Sequence, residues 1–73
     1  MFKKEVFQSR LKEQSRKENL TQRQVGEAIG LKSNTVNQWE TGERLPSLES
    51  LCRLSHFFGV TIDYLLGQSD KKK

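Results

Sequence analysis

Between Leu20 and Gly42 the chain carries start and stop signals for two short helices, with three or four residues left to turn from one into the other. Thr21 and Gln24 have the spacing of a capping box, in which each side chain satisfies the other residue's backbone N–H at a helix start. Leu20 and Val25 flank that start and are placed to pack as a hydrophobic staple. Val25 and Ile29 lie one turn apart on one face, and Gly30 can take the left-handed backbone that ends a helix. Leu31 then leads into a second helix over residues 33–41, closed by Gly42. The rest of the chain is arranged around this pair.

The second helix has two unlike faces. Val36 and Trp39, spaced i, i+3, form its buried side. Asn34, Asn37, Gln38 and Thr41 fall within an arc of about 100° on the opposite side at 3.6 residues per turn. An ordinary solvated face carries Lys and Glu, which add i, i+4 pairs. This one carries amides and hydroxyls, which helix propensity does not favour. An amide donates and accepts side by side, as reading an adenine edge in the major groove requires. A neutral polar surface is the competing explanation for the residues alone, and the helix–turn–helix setting favours base reading.

The turn Gly30-Leu31, the run Trp39-Glu40-x-Gly42, the block Pro46-Ser47-Leu48-Glu49, and Gly59-Val60 ahead of Asp63-Tyr64-Leu65-Leu66 together resemble the Cro/CI-type (Xre, lambda-repressor-like) helix-turn-helix family, over about residues 7–67. The resemblance implies an all-α domain of five helices over residues 1–67, with the helix-turn-helix motif at about 21–41. It implies that the helix over residues 33–41 enters the major groove, with Ser33, Asn34 and Gln38 at base-contacting positions and Asn37 a fourth. Gln22 matches a position that holds a phosphate. Arg10 matches one near the DNA backbone. Thr41 and Arg44 are further backbone candidates, and Lys32 suits either role.

Three departures from the family pattern carry physical consequences. Ser15 stands where an Arg often pairs with the residue at Glu40, so Glu40 needs another partner, Arg44 or a backbone donor. Gly26 stands where Ala is usual; the two helices approach closely there and demand a tiny side chain, which Gly satisfies at a cost of about 1 kcal/mol in helix propensity. Lys32 stands where Ser or Thr usually caps the second helix. Lys32 as cap places Leu31 and Val36 at the staple positions, which Ser33 as cap would not, so an uncapped start at Lys32 is predicted. The exposed N–H groups there suit a phosphate or a base acceptor.

Elsewhere the pattern is helical throughout, with no strand-like alternation. A first helix begins between Lys3 and Phe7, buries Phe7 and Leu11, and ends at Asn19 in left-handed geometry. Arg10 apart, its basic residues Lys12, Arg16 and Lys17 form a solvated face. Pro46 keeps Leu45 out of helical geometry. Ser47 caps a fourth helix to about Phe58, with Leu48, Leu51, Leu54 and Phe58 as its inner stripe, and Thr61 caps a short fifth. Residues 68–73 are expected to be a disordered basic tail.

The chain of 73 residues, 33% apolar and 30% charged, is one small domain with a thin core that buries only about 60% of its unfolded surface. Seven basic and three acidic residues lie between Met1 and Gln24, against three and five between Val25 and Leu66. That polarity is able to orient the domain on a polyanion. No apolar run approaches the length of a membrane span and no signal-peptide pattern is present, so a cytoplasmic protein is expected. Cys52, the single cysteine, is expected as a buried or half-buried packing residue, and His56, with no ligand-spaced neighbour, as structural. No metal site, cofactor or small-molecule ligand is expected, and no arrangement of catalytic groups points to an enzyme.

The resulting expectation is a transcriptional regulator that binds double-stranded DNA, most simply a repressor acting as a homodimer on a palindrome. Phe57, Ile62 and Tyr64 are divided evenly between core and a two-fold interface. The alternative is a protein-interaction module of the antitoxin or anti-repressor type on the same fold.

Overall fold

A computed structural model describes residues 2–73. Five helices follow one another, α1 Lys4–Lys17, α2 Gln22–Ile29, α3 Ser33–Thr41, α4 Leu48–Phe58 and α5 Ile62–Leu65, and among the described residues there is no strand. The local signals act as their chemistry dictates. Gln24 N donates to Thr21 Oγ1 at 3.1 Å and Thr21 N donates to Gln24 Oε1 at 2.8 Å, so the capping box is complete. Ser47 and Thr61 accept from Ser50 N and Tyr64 N in the same way at the starts of α4 and α5. Lys32 is the cap residue of α3 and gives it no side-chain hydrogen bond.

The helix ends share one device. At the close of α1, Asn19 takes φ 57°, and Leu20 N donates across the turn to Ser15 O at 2.8 Å. At the close of α2, Gly30 takes φ 79° and Leu31 N donates to Gly26 O at 2.7 Å. This reversal satisfies carbonyls that the helix leaves open and turns an apolar residue, Leu20 or Leu31, back onto the core. Only a residue tolerant of positive φ fits the corner.

The helices pack around Phe7, Leu11, Val25, Val36, Leu54 and Leu65, all fully buried, with Ile29, Trp39, Leu51, Val60 and Tyr64 completing the core. α2 and α3 meet closely. A Cβ on Gly26 would stand 2.7 Å from Leu31 O and 3.2 Å from Lys32 O, so the turn presses on the α2 backbone and glycine is the residue that fits.

Three expectations are overturned. Leu48 is 81% exposed: about 100° per residue puts it about 60° off Leu51 on the side away from Leu54, at the first turn, beyond the reach of the core. Cys52 is exposed, one residue past Leu51 and therefore rotated off the buried stripe. Tyr64, divided evenly between core and interface, is 5% exposed and lies in the core. The tail is docked where disorder was expected: Thr61 N donates to Lys72 O at 2.7 Å, Thr61 Oγ1 to Lys71 O at 3.2 Å, and Arg10 to Ser69 O at 2.7 Å.

Candidate nucleic-acid interface

α3 is held from behind and open in front. Val36 and Trp39 are buried against the core, while Asn34, Asn37 and Thr41 are exposed and Ser33 and Gln38 half-buried. Among the described residues, no hydrogen bond engages the side chains of Ser33, Asn34, Asn37 or Gln38. The Thr41 hydroxyl donates to Gln38 O at 3.3 Å, so of the polar face it alone has a partner within the helix. The start of α3 opens onto a shallow depression lined by Arg23, Glu27, Leu31, Lys32, Ser33 and Asn34. Thr35 N and Val36 N already donate to Lys32 O, which leaves the N–H groups of Ser33 and Asn34 directed outward at the positive end of the helix. Lys32 stands exposed beside them.

The partner of Glu40 is neither Arg44 nor a backbone donor. Gln22, first residue of α2, donates from Nε2 to Glu40 Oε1 at 3.1 Å, and Ser15 turns its hydroxyl to Leu11 O at 2.9 Å. The bond ties the start of α2 to the last turn of α3, so Gln22 has a structural duty beside the phosphate contact expected of it. Its second N–H remains available to an acceptor. Lys12 and Arg16 line the same cleft as Gln22 and Glu40. Their spacing on α1 marked them only as a solvated face; the fold, by bringing α1 against α3, makes them neighbours of the proposed phosphate site. Arg44 has an exposed side chain, while its backbone N donates to Gln38 O at 3.2 Å and draws the loop against the C-terminal half of α3.

Arg10 lies elsewhere. Its guanidinium donates to Tyr64 O, Ser69 O and Asp70 Oδ1 and stacks on the Tyr64 ring at 4.1 Å. Only 17% of its side chain is exposed, so its donors face the tail and α5 where a backbone phosphate was expected. Tyr64 in turn donates its hydroxyl to Glu13 Oε1 at 2.7 Å. That bond, then burial, holds its pKa above the usual 10.0, because ionisation would leave a phenolate facing a carboxylate. Of the three residues weighed for a two-fold interface, Tyr64 is thus engaged within its own chain. Phe57 is exposed and tilts against Phe58 with ring centroids 5.0 Å apart, and Ile62 is half-buried.

Among the described residues, no group of His, Cys, Asp and Glu gathers that could hold a metal ion, and no helix is long and apolar enough to cross a membrane.

A family model described as helix-turn-helix matches residues 11–65. Over 60 residues the chain is 40% identical to the HTH-type transcriptional activator BcrR of Enterococcus faecalis, covering 82% of this chain and 29% of that protein. It is 34% identical over 64 residues to the HTH-type transcriptional regulator ImmR of Bacillus subtilis, with 88% and 50% covered. To the cryptic phage CTXphi transcriptional repressor RstR of Vibrio cholerae it is 32% identical over 65 residues, with 89% and 59% covered. The chain therefore spans between about a third and three-fifths of these relatives. The fold superposes on the P22 c2 repressor, solved with synthetic operator 9T, at a TM-score of 0.82 and 28% identity, covering 88% of this chain and 97% of that one. A transcriptional regulator from Listeria innocua matches at a TM-score of 0.79 and 31% identity, with 84% and 57% covered.

Proposed function

The chain belongs to the Cro/CI-type helix-turn-helix family, and from that membership we propose that it binds double-stranded DNA sequence-specifically and regulates transcription, without catalysis and in the cytoplasm. Repression from a palindromic operator, bound as a homodimer, is the simplest form of that activity. The observation that carries this reading is the front of α3. Asn34, Asn37 and Gln38 stand free of internal hydrogen bonds on a helix whose back is anchored by Val36 and Trp39. Free side-chain amides on a rigid helix are suited to bidentate bonds with adenine edges, each good pair worth about 1–3 kcal/mol of discrimination.

Around that helix the backbone contacts fall into place by chemistry. Gln22, Lys12 and Arg16 offer N–H donors on one flank of α3, Lys32 and the open N–H groups of Ser33 and Asn34 stand at its start, and Arg44 and Thr41 at its end. Such contacts fix register and carry affinity without reading sequence. Arg10 is left out of this set because its donors are engaged. A protein-partner role with DNA binding lost gives no reason for unpaired amides on α3.

The test is selection from a pool of random duplexes followed by titration of the enriched sequence and a scrambled one at one salt concentration. Affinity for the enriched duplex at least a thousandfold above the scrambled one is expected. Equal binding to both, or no enrichment, overturns the reading.

A further inference from the structure

Two shallow depressions flank α1 and share one residue. At about 100° per residue, Lys12, Ser15 and Arg16 lie within an arc of about 100°, on the side that meets Gln22 and Glu40. Ser9, Arg10, Glu13, Arg16 and Lys17 cover the next arc of about 120°, and with Tyr64 they line the second depression. Arg16 stands at the border of both. The first depression belongs to the phosphate contacts proposed above, and the second, Arg16 apart, has no part in them. We propose that the second depression binds an acidic segment of another protein, and that this binding releases the chain from DNA because Arg16 serves both.

The lining selects that partner by charge. The ion pairs among the described residues are Arg10–Asp70, Arg23–Glu27 and Arg53–Glu49, so the exposed Arg16 and Lys17 stand there with no carboxylate on either. Arg10 already takes one, its Nη2 donating to Asp70 Oδ1 at 2.8 Å. The Asp70 side chain is 99% exposed, and a pair so open to water is weak enough to exchange. A carboxylate from outside can therefore take the place of Asp70 while others meet Arg16 and Lys17. Lys72 adds to the attraction, with its Nζ 5.8 Å over the Tyr64 ring.

Glu13 decides between one polyanion and another. It stands one turn from Ser9 and one from Lys17 on the same face, and takes the Tyr64 hydroxyl on Oε1, which leaves further acceptor capacity on its carboxylate. A phosphodiester offers only acceptors and meets Glu13 with repulsion. A peptide brings backbone N–H donors for Glu13 along with its carboxylates, so the mixed lining suits a protein segment and not a second stretch of DNA backbone. A small molecule fits it poorly. The depression measures about 760 Å³, inside the range of about 300–1,000 Å³ for small-ligand sites, but those are lined mostly by apolar side chains. Here the Tyr64 ring is the one apolar surface of size.

The release of DNA rests on the DNA-binding reading, while the depression itself is tested without DNA. An N-acetylated hexaglutamate amide, titrated into the isotope-labelled chain at constant ionic strength, should shift the backbone NMR resonances of Ser9, Glu13 and Lys17 and leave those of Asn34 and Asn37 in place. Lys17→Gln should weaken the peptide by about threefold to fivefold, the loss of one exposed ion pair. Asp70→Ala should tighten it by removing the resident carboxylate. No shift along α1, an equal response to citrate at the same carboxylate concentration, or no change from either substitution overturns the proposal whatever the DNA arm gives. In that arm the peptide should compete with the selected duplex. Lys17→Gln should keep the affinity for the duplex and blunt the competition, Lys12→Gln should lose duplex affinity and keep the peptide's, and Arg16→Gln should lose both. Competition undiminished by Lys17→Gln, or peptide and duplex bound together, overturns the shared use of Arg16. Failure of the unmodified chain to prefer the selected duplex over the scrambled one is the separate failure of the DNA-binding reading.

Discussion

Asn34 and Gln38 are one turn apart on the open face of α3, and neither side chain makes a hydrogen bond within the fold. Asn34→Ala and Gln38→Ala are therefore expected to leave the melting temperature nearly unchanged. Each should cost about 1–3 kcal/mol on the selected duplex and much less on random DNA, since base contacts discriminate and phosphate contacts do not. Paired titrations at fixed salt measure this, and equal losses on both duplexes would remove base reading from α3. Tyr64 offers a different residue-scale test, because it is the chain's single tyrosine and its ionisation is visible in the near-ultraviolet spectrum. Its folded pKa lies above 10.0, so the neutral phenol is the form the fold favours. The stability it contributes is fully present below pH 10, the unfolded value, and is lost as pH rises through the raised folded value. Tyr64→Phe should cost about 1 kcal/mol at neutral pH through the lost bond to Glu13, and should flatten the alkaline fall in stability. An alkaline profile unchanged by the substitution would place that titration on other groups.

At the scale of the elements, the α2–α3 angle is set from two sides. Gly26 lets the turn close to 2.7 Å of a notional Cβ, and the Gln22–Glu40 bond fastens the outer edge. Gly26→Ala should forfeit the gain of about 1 kcal/mol that alanine gives inside a helix, because its methyl meets a backbone carbonyl that only a shift of the turn can move. A melting temperature raised by that full amount would show the turn to be looser than the structure has it. Gln22→Ala has two consequences that separate cleanly. Lost phosphate binding lowers affinity for selected and random duplexes alike and flattens the salt dependence, whereas a lost partner for Glu40 lowers the melting temperature. Arg44→Ala should share the first effect and not the second. A double-mutant cycle between Gln22 and Glu40 should return a coupling of about 1 kcal/mol, and no coupling would reduce the bond to a passing contact. Behind both, Trp39 is 3% exposed, so Trp39→Ala should cost about 3–5 kcal/mol and unfold so small a domain. A folded variant that merely loses DNA would reverse the two faces of α3.

Across the whole molecule, what was legible in the sequence is what short-range chemistry decides. Thr21 with Gln24, Gly30, Ser47 and the pair Val36–Trp39 need only neighbours within a turn or two, and each stands where its spacing puts it. What was not legible joins residues far apart in the chain: Gln22 to Glu40, Tyr64 to Glu13, and Arg10 to Asp70, sixty positions on. No local pattern marks such pairs, because they exist only after the helices have packed. Leu48 fails for the complementary reason, since its periodicity is correct but the core does not extend to that end of α4. The tail is the largest of these surprises and invites the most direct test. Two kinds of bond hold it: Arg10 reaches the Ser69 carbonyl and the Asp70 carboxylate, and the backbone N of Thr61 takes the Lys72 carbonyl. The Asp70 side chain is 99% exposed, and ion pairs so open to water contribute little. The bonds to backbone oxygens are more sheltered, at Arg10 by stacking on Tyr64. Asp70→Ala should therefore be nearly neutral, while deletion of residues 69–73 should cost about 1–2 kcal/mol, lowering the melting temperature by roughly 4–8 °C per kcal/mol in a domain this small. Equal losses from the two changes would make the ion pair the tether. No loss from the deletion would return the tail to the disordered state that its composition suggests.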